Sequence, residues 1–452
     1  MENQDQAAAH WSRVQLLAFR FAFVYLILYY LPFPLGTLPH TGRVAQKYES
    51  LWHKLVPWVG EHVLRLSHQI MTSTNCSGDT TYDYVRVLCF LAVAFAATVV
   101  WSFLDRSHAN YQRIHEWLRS YVRLSVGAAI LMYGAAKIFW MHFPPPNLYK
   151  LLEPLGDYSR MSLLWAFTGA SRGYSIFAGC VQMLGGILLF VPRLTTLGAL
   201  VGLVVFSNIF ALNLGYDLPV KLYCFHILLV CMFLVLPDAR RLVSFFLLNR
   251  SVAPSPETAL FNHQRINAGA LVAQLTLGGF LACSYLYQTH DFEKQNHGTA
   301  SRPPFYGIWT VDEFKVGGKV LPPLLTDETR WQRVVFQFPK EVGIQSMNGS
   351  WTSWTGRWLR RDMAKKAMAM EKPNDATKQF EFTFSNPDSQ SLTLEGNDGR
   401  NEIRVRLHRV SEKQFALLGG GFHWIHEDAD LLMDEESVCD HVKRAAGALV
   451  AR

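Results

Sequence analysis

The sequence contains no C-x-x-C pair and no haem, flavin or iron–sulfur motif. Its seven cysteines are Cys76, Cys89, Cys180, Cys224, Cys231, Cys283 and Cys439. Five of them lie within or at the edges of apolar stretches, where a thiol serves as a small buried hydrophobe. That distribution argues against a disulfide framework and against a zinc site, so no metal ligands are expected. Only Cys76 and Cys439 fall outside the apolar stretches. The first apolar stretch is followed by no A-x-A cleavage site. It is long and aromatic and contains Arg20, so it reads as a retained helix rather than a cleaved signal. A nucleic-acid partner is also disfavoured: the net charge is +7, but the Arg and Lys are scattered between apolar stretches, as at the ends of membrane helices.

What is present is a sharp segregation. The mean hydropathy of +0.08 averages a very apolar region before residue 290 with a polar one after residue 300. A bilayer core of about 30 Å needs roughly 20 mostly apolar residues in a helix. Seven stretches qualify as expected spans: Val14–Gly36, Tyr84–Leu104, Val122–Phe143, Tyr174–Val191, Thr196–Asn213, Val220–Leu236 and Ile266–Tyr287. The joins at Pro192–Thr195 and Gly215–Pro219 are tight enough to make their helices antiparallel neighbours. Arg13, Arg106, Arg113, Arg119, Arg193, Arg240, Arg241, Arg250 and Arg265 collect on one side, which the charge bias places in the cytoplasm. Seven spans then put the C-terminal domain outside the cytoplasm. Between the first two spans, residues 44–70 carry apolar side chains at helical spacing around Pro57. Two readings stay open there, a helix on the membrane surface and a helix packed on the bundle.

Residues 291–304 read as a polar linker, after which the hydrophobic period changes to two. Phe380, Phe382 and Phe384 alternate with polar residues, as do Leu392 and Leu394, and Ile403, Val405 and Leu407. With Val334–Phe338 and Phe415–Leu418, about eight short strands are expected over residues 305–427, forming an antiparallel barrel or sandwich. Residues 364–370 read as a short helix or a loop, and residues 428–452 as an acidic tail turning weakly helical. The barrel either holds an apolar ligand or is filled and structural.

Ionisable and amide side chains within membrane spans are costly and usually face the bundle interior. Lys137 and Lys221 fall near the outer ends of their helices, with His226 one to two turns beyond Lys221. These three are the candidate catalytic groups: a lysine in a dry site can act as a base, and a histidine can relay a proton. Arg20, His142, Gln182, Asn208, Asn213, Asp217 and Tyr223 are the candidate substrate-binding groups around one polar cavity. Asp217 and Lys221 are spaced for pairing across one helical turn. The loop at residues 144–171, rich in Trp, Phe and Tyr, either re-enters the membrane or caps that cavity. Structural alternatives stand beside these roles, namely snorkelling for the lysines and interhelical hydrogen bonds for the amides.

Tyr133-Gly134-Ala135-Ala136-Lys137-Ile138-Phe139, Gly179–Gly186 and Pro192–Gly198 resemble the DoxX-like family of four-helix membrane proteins. Gln182 stands where that family often has a glutamate. The whole chain resembles a longer bacterial type through Phe19-Arg20-Phe21, Asp217–Tyr223 and Gly421-Phe422-His423-Trp424-Ile425. Gly307-Ile308-Trp309 resembles the first strand of lipocalin-like barrels. The polar spacing is loosely similar to the membrane part of vitamin K-dependent carboxylases. The DoxX-like resemblance implies a bacterial inner-membrane protein and a quinone-linked redox activity. The other expected readings are a non-catalytic carrier of lipid or another apolar small molecule, and a structural subunit of a membrane complex.

Overall fold

In a computed structural model, the chain is described at residues 11–37, 40–72, 77–106, 108–254, 260–297, 302–357, 367–372, 375–386, 388–397 and 401–419. Cys76, Cys439, the 421–425 motif and the 428–452 tail lie outside these. The chain divides into two units, Met1–Arg302 and Pro303–Arg452.

The first unit is helical. Its elements are α1 (Arg13–Tyr30), α2 (Gly42–His62), α3 (Thr81–Leu104), α4 (Gln112–Ile138), α5 (Leu148–Leu152), α6 (Arg160–Ala170), α7 (Arg172–Phe190), α8 (Thr195–Gly215), α9 (Lys221–Val235), α10 (Ala239–Phe246) and α11 (Gln264–His297). Local sequence sets several starts. Ser12 with Gln15, and Thr80 with Asp83, form capping boxes that satisfy the first free N–H groups of α1 and α3. Asn147, Ser159 and Ser171 cap α5, α6 and α7 with their side chains.

Among the described residues, six helical segments are long and apolar enough to cross a membrane: Arg13–Tyr30, Thr81–Leu104, Arg172–Phe190, Pro192–Gly215, Lys221–Phe246 and Gln264–His297. The protein is thus an integral membrane protein by length and composition of its helices. The expectation of seven differs at α4, which is long enough but not apolar enough, because Arg113, Glu116, Arg119 and Arg123 occupy its first half and Lys137 its last turn. It is nonetheless the hub of the unit, packing against α1, α7, α9 and α11.

Among the described residues the α4–α7 contact is the most extensive in the unit, and glycine brings the two backbones together. Gly127 and Gly134 on α4 face Gly186 and Gly179 on α7, and each pair repeats every seventh residue. A Cβ on Gly179 would sit 2.7 Å from the Gly134 carbonyl oxygen, and one on Gly186 would sit 3.1 Å from that of Gly127. Small residues let membrane helices meet backbone to backbone, where packing rather than water exclusion holds them. α2 buries Trp52, Val56 and Gly60 and leaves Leu51 and Trp58 exposed, so it packs on the bundle through one face while a second apolar face stays open. α11 continues through His297 and corrects the expected linker at its start. Residues 288–297 contain no helix breaker, and Gln288–Ser284 and Gln295–Asp291 bond one turn apart.

The second unit holds β1 (Gly307–Val316), β2 (Lys319–Val320), β3 (Trp331–Phe338), β4 (Glu341–Ser346), β5 (Trp351–Arg357), β6 (Ala367–Lys372), β7 (Asp375–Ser385), β8 (Ser391–Asn397) and β9 (Glu402–Val410). All neighbours are antiparallel in the order β2-β1-β3-β4-β5-β6-β7-β8-β9, and β1 also pairs with β9, so the sheet curls back onto its first strand. Alternation sets the inside: Ile403, Val405 and Leu407 are buried with Trp309, Phe314, Phe336, Val342, Ile344, Leu392 and Leu394. Two expectations are corrected. Residues 367–372 form a strand, because pairing with β7 outweighs the helix propensity of Ala and Met. Residues 416–419 form a short helix, α12 (Ala416–Gly419), rather than a strand.

Candidate functional site

Lys137 lies in the last turn of α4 and is 8% exposed. Its ammonium donates to Gln182 Oε1 at 2.8 Å and stands 5.8 Å from the centre of the Phe143 ring. The glycine contact described above lets α4 and α7 come close enough for this bond. Ammonium carries three donors. Among the described residues only the one bond to Gln182 is made, and no carboxylate reaches Lys137. Phe143 and His142 are beside it, and Tyr133 and Trp165 pack on His142. The His142 ring lies 5.9 Å from Tyr133, 4.4 Å from Phe143 and 5.7 Å from Trp165. Trp165 comes from α6, held close by Gly169, where a Cβ would collide with the Pro144 carbonyl. The 144–171 loop therefore closes over the Lys137 end of α4. Tyr223 joins the same wall at 5.9 Å from Tyr133.

The other two candidate catalytic groups are committed elsewhere. Lys221 forms ion pairs with Asp217 at 3.1 Å and Asp79 at 3.4 Å and donates to the Leu218 carbonyl at 2.9 Å. The expected Asp217–Lys221 pair forms, but not across a helical turn, since Asp217 lies in the connection before α9 with φ of 53°. Asp79 was not singled out from sequence. Its two oxygens accept from the backbone N–H groups of Lys221 and Leu222, each at 2.8 Å, so it caps α9 from a distant part of the chain. Replacing Asp79 with alanine is expected to cost about 2 kcal/mol, because it strands two N–H donors and leaves the Lys221 ammonium with Asp217 as its one carboxylate. A drop in thermal midpoint, with Lys221→Met costing less, would check this.

His226 is 3% exposed and fully bonded. Its Nδ1 faces the Leu222 carbonyl at 2.7 Å, so Nδ1 carries the proton, and Nε2 accepts from the Tyr25 hydroxyl at 2.5 Å. The Tyr29 ring stacks on it at 4.0 Å.

The binding candidates also divide. Gln182 and His142 join Lys137. Asn213 is 1% exposed, with its Nδ2 3.5 Å from the Val220 carbonyl and its Oδ1 unpaired, at the α8–α9 turn beside Lys221. Asn208 is on the exposed side of α8 and does not share the interior with the others, a correction to its expected place. A helix face alternates every few residues, and the flanking Phe206 and Asn213 take the buried one. Arg20 is separate as well, in a network with residues at the last turn of α3 and the start of α4, while Lys137 ends α4. It bonds the Tyr111 hydroxyl at 2.7 Å, Ser102 Oγ at 2.8 Å and the Asp105 carbonyl at 2.8 Å.

Beside Arg20, hydrogen bonds donated by Tyr111 and His108, each at 2.6 Å, hold the Asp105 carboxyl well below its usual range. A depressed folded value contributes stability above the unfolded value of about 4, which is lost as pH falls. The thermal midpoint is therefore expected to fall below about pH 4 in the wild type, and to fall less in Asp105→Asn.

Sequence reasoning also missed Arg123, which is 3% exposed and bonds the Leu189 carbonyl at 2.7 Å and the Gln274 side chain. It missed the Glu49–Arg86 pair, at 2.9 Å, between α2 and α3. The signal was available in both cases: an arginine inside a span, read by the same rule that picked out Lys137.

The fold and site define an integral membrane protein with a buried, carboxylate-free lysine in its helical unit and an antiparallel β unit after it. Part of the chain is similar to the uncharacterized protein YwoB of Bacillus subtilis, at 29% identity over 124 residues, 27% of this chain and 79% of that protein. No protein-family model matches the chain, and no solved structure does.

Proposed function

We propose that this protein binds a membrane-dissolved quinone-type carbonyl compound beside Lys137, as the ligand seat of a quinone-linked membrane oxidoreductase. One observation carries the reading: a buried ammonium that uses one of its three donors, on a neutral glutamine, among aromatic rings. An unpaired buried charge is expensive, and a chain keeps one where a ligand makes use of it. A quinone fits that donor set, since its carbonyl oxygen accepts from the ammonium and its flat ring matches the walls of Tyr133, His142, Phe143 and Trp165. The DoxX-like motifs lie in the same helices, and Lys137 and Gln182 are both within them.

The same reading places the C-terminal unit outside the cytoplasm of a bacterial inner membrane. Its support is the charge bias together with α4 acting as a seventh crossing at the centre of the bundle. The curled sheet with Gly307-Ile308-Trp309 on its first strand supports a lipocalin-like barrel. In that barrel the Trp309 indole donates to the Phe305 carbonyl at 2.8 Å, and large apolar side chains fill the interior in the manner of a structural core.

The test is an absorbance scan and mass spectrum of the organic extract of purified protein. A stoichiometric quinone, reducible in place, supports the reading. A stoichiometric phospholipid with no quinone favours the carrier alternative and overturns it.

A further inference from the structure

Asn208 is a polar side chain that the helical unit turns outward at membrane depth. In the segment Pro192–Gly215 it stands seven residues before the end, about 10 Å from it along the helix and inside a hydrocarbon layer of about 30 Å. α8 buries Gly198, Ala199, Gly202, Phe206 and Asn213, and it packs on α7 and α9. Asn208 lies on the opposite side, in one narrow stripe with Leu197, Val204, Ala211 and Gly215, all exposed. Their spacing of seven, four, three and four residues is that of a helix-pairing seam. A Cβ on Gly215 would meet open space. Among the described residues no hydrogen bond reaches the Asn208 amide. An amide left unpaired in hydrocarbon costs several kcal/mol, and this side chain is too short to reach the headgroups. Its partner must therefore come from within the membrane.

We propose that α8 pairs with α8 of a second copy of this chain, with the two Asn208 amides bonded to each other in the middle of the seam. An asparagine amide carries both donor N–H groups and an acceptor oxygen, so two of them related by a twofold axis satisfy each other. An unlike partner needs a matching amide at the same depth, and a second copy supplies it by symmetry. The rest of the stripe fits that pairing. Ala211 and Gly215 let the two backbones approach, while Leu197 and Val204 pack on their counterparts. Acyl chains are as apolar as leucine, so the amide pair and close packing hold such helices together.

The test uses the full chain in phosphatidylcholine vesicles, with donor and acceptor fluorophores on a terminal tag. Energy transfer is followed as the lipid-to-protein ratio rises. Wild type is expected to associate as a dimer. Asn208→Leu is expected to weaken association about tenfold, and Gly215→Leu to weaken it as well by holding the backbones apart. Ser207→Ala, beside Asn208 but off the stripe, should associate as wild type does. A wild type that is monomeric at every dilution overturns the proposal, and so does equal association of wild type and Asn208→Leu. Melting curves show whether the variants fold. An Asn208→Leu protein that no longer folds would mean that the amide is bonded within its own chain, which overturns the proposal too.

Discussion

Gly134→Leu is expected to unfold the helical unit or part α4 from α7, the largest stability loss of any single change considered. A Cβ at Gly134 would stand 2.5 Å from Met183 Cγ, 2.9 Å from the Met183 backbone nitrogen and 3.0 Å from the Gly179 carbonyl oxygen. The side chain of Met183 can turn away, but the two backbone atoms cannot. Relief requires the helices to separate along the line of Gly127, Gly134, Gly179 and Gly186, and overpacking of this kind costs about 3 kcal/mol or more. Alanine meets the same three contacts through its methyl but carries no atoms beyond it, so it should destabilise as well, though less than leucine. Yield of folded protein and thermal midpoint, compared across glycine, alanine and leucine, check the order. Ligand binding at Lys137 should fall with separation, because the Lys137–Gln182 bond bridges the same two helices.

Lys137→Met carries the second large effect, and its two readouts move in different directions. Methionine has nearly the shape of lysine and needs no acceptor. Removing a buried charge recovers its desolvation cost, while leaving Gln182 Oε1 unpaired costs about 1–3 kcal/mol. The single variant should therefore melt near the wild type. Lys137→Met/Gln182→Leu, which removes both ends of the bond, should melt higher than wild type. Both should lose ligand. A residue kept for structure behaves otherwise: its removal lowers stability, and the second substitution does not restore it.

The apolar stretches were legible because one rule governs them: about 20 apolar residues per crossing. Their ends were less so, since caps such as Ser12–Gln15 and Thr80–Asp83 lie outside the apolar run and extend or trim the helix by a few residues. The strands at Ile403–Leu407 and Leu392–Leu394 were plain from alternation, whereas β4 and β5 carry Gly343 and the polar run at Thr352–Ser353 and show no clean period. Within the site, Lys137, Gln182 and His142 were readable from position in the span and from the loop that follows. The contrast between Lys137 and Lys221 was not. It depends on Asp79, 142 residues away in sequence, whose carboxylate reaches α9 only in the folded chain. Asn208 and Asn213 illustrate the same limit, because which face of α8 turns inward is decided by its neighbours in space.

The most direct test is equilibrium binding of a short-chain quinone to purified protein, wild type against Lys137→Met, with both shown to be folded by their melting curves. Tenfold or greater weakening in the variant is the expected result, the size of losing one charge-assisted hydrogen bond in a dry site. Equal affinity in two equally folded proteins would mean that the ammonium of Lys137 meets no ligand.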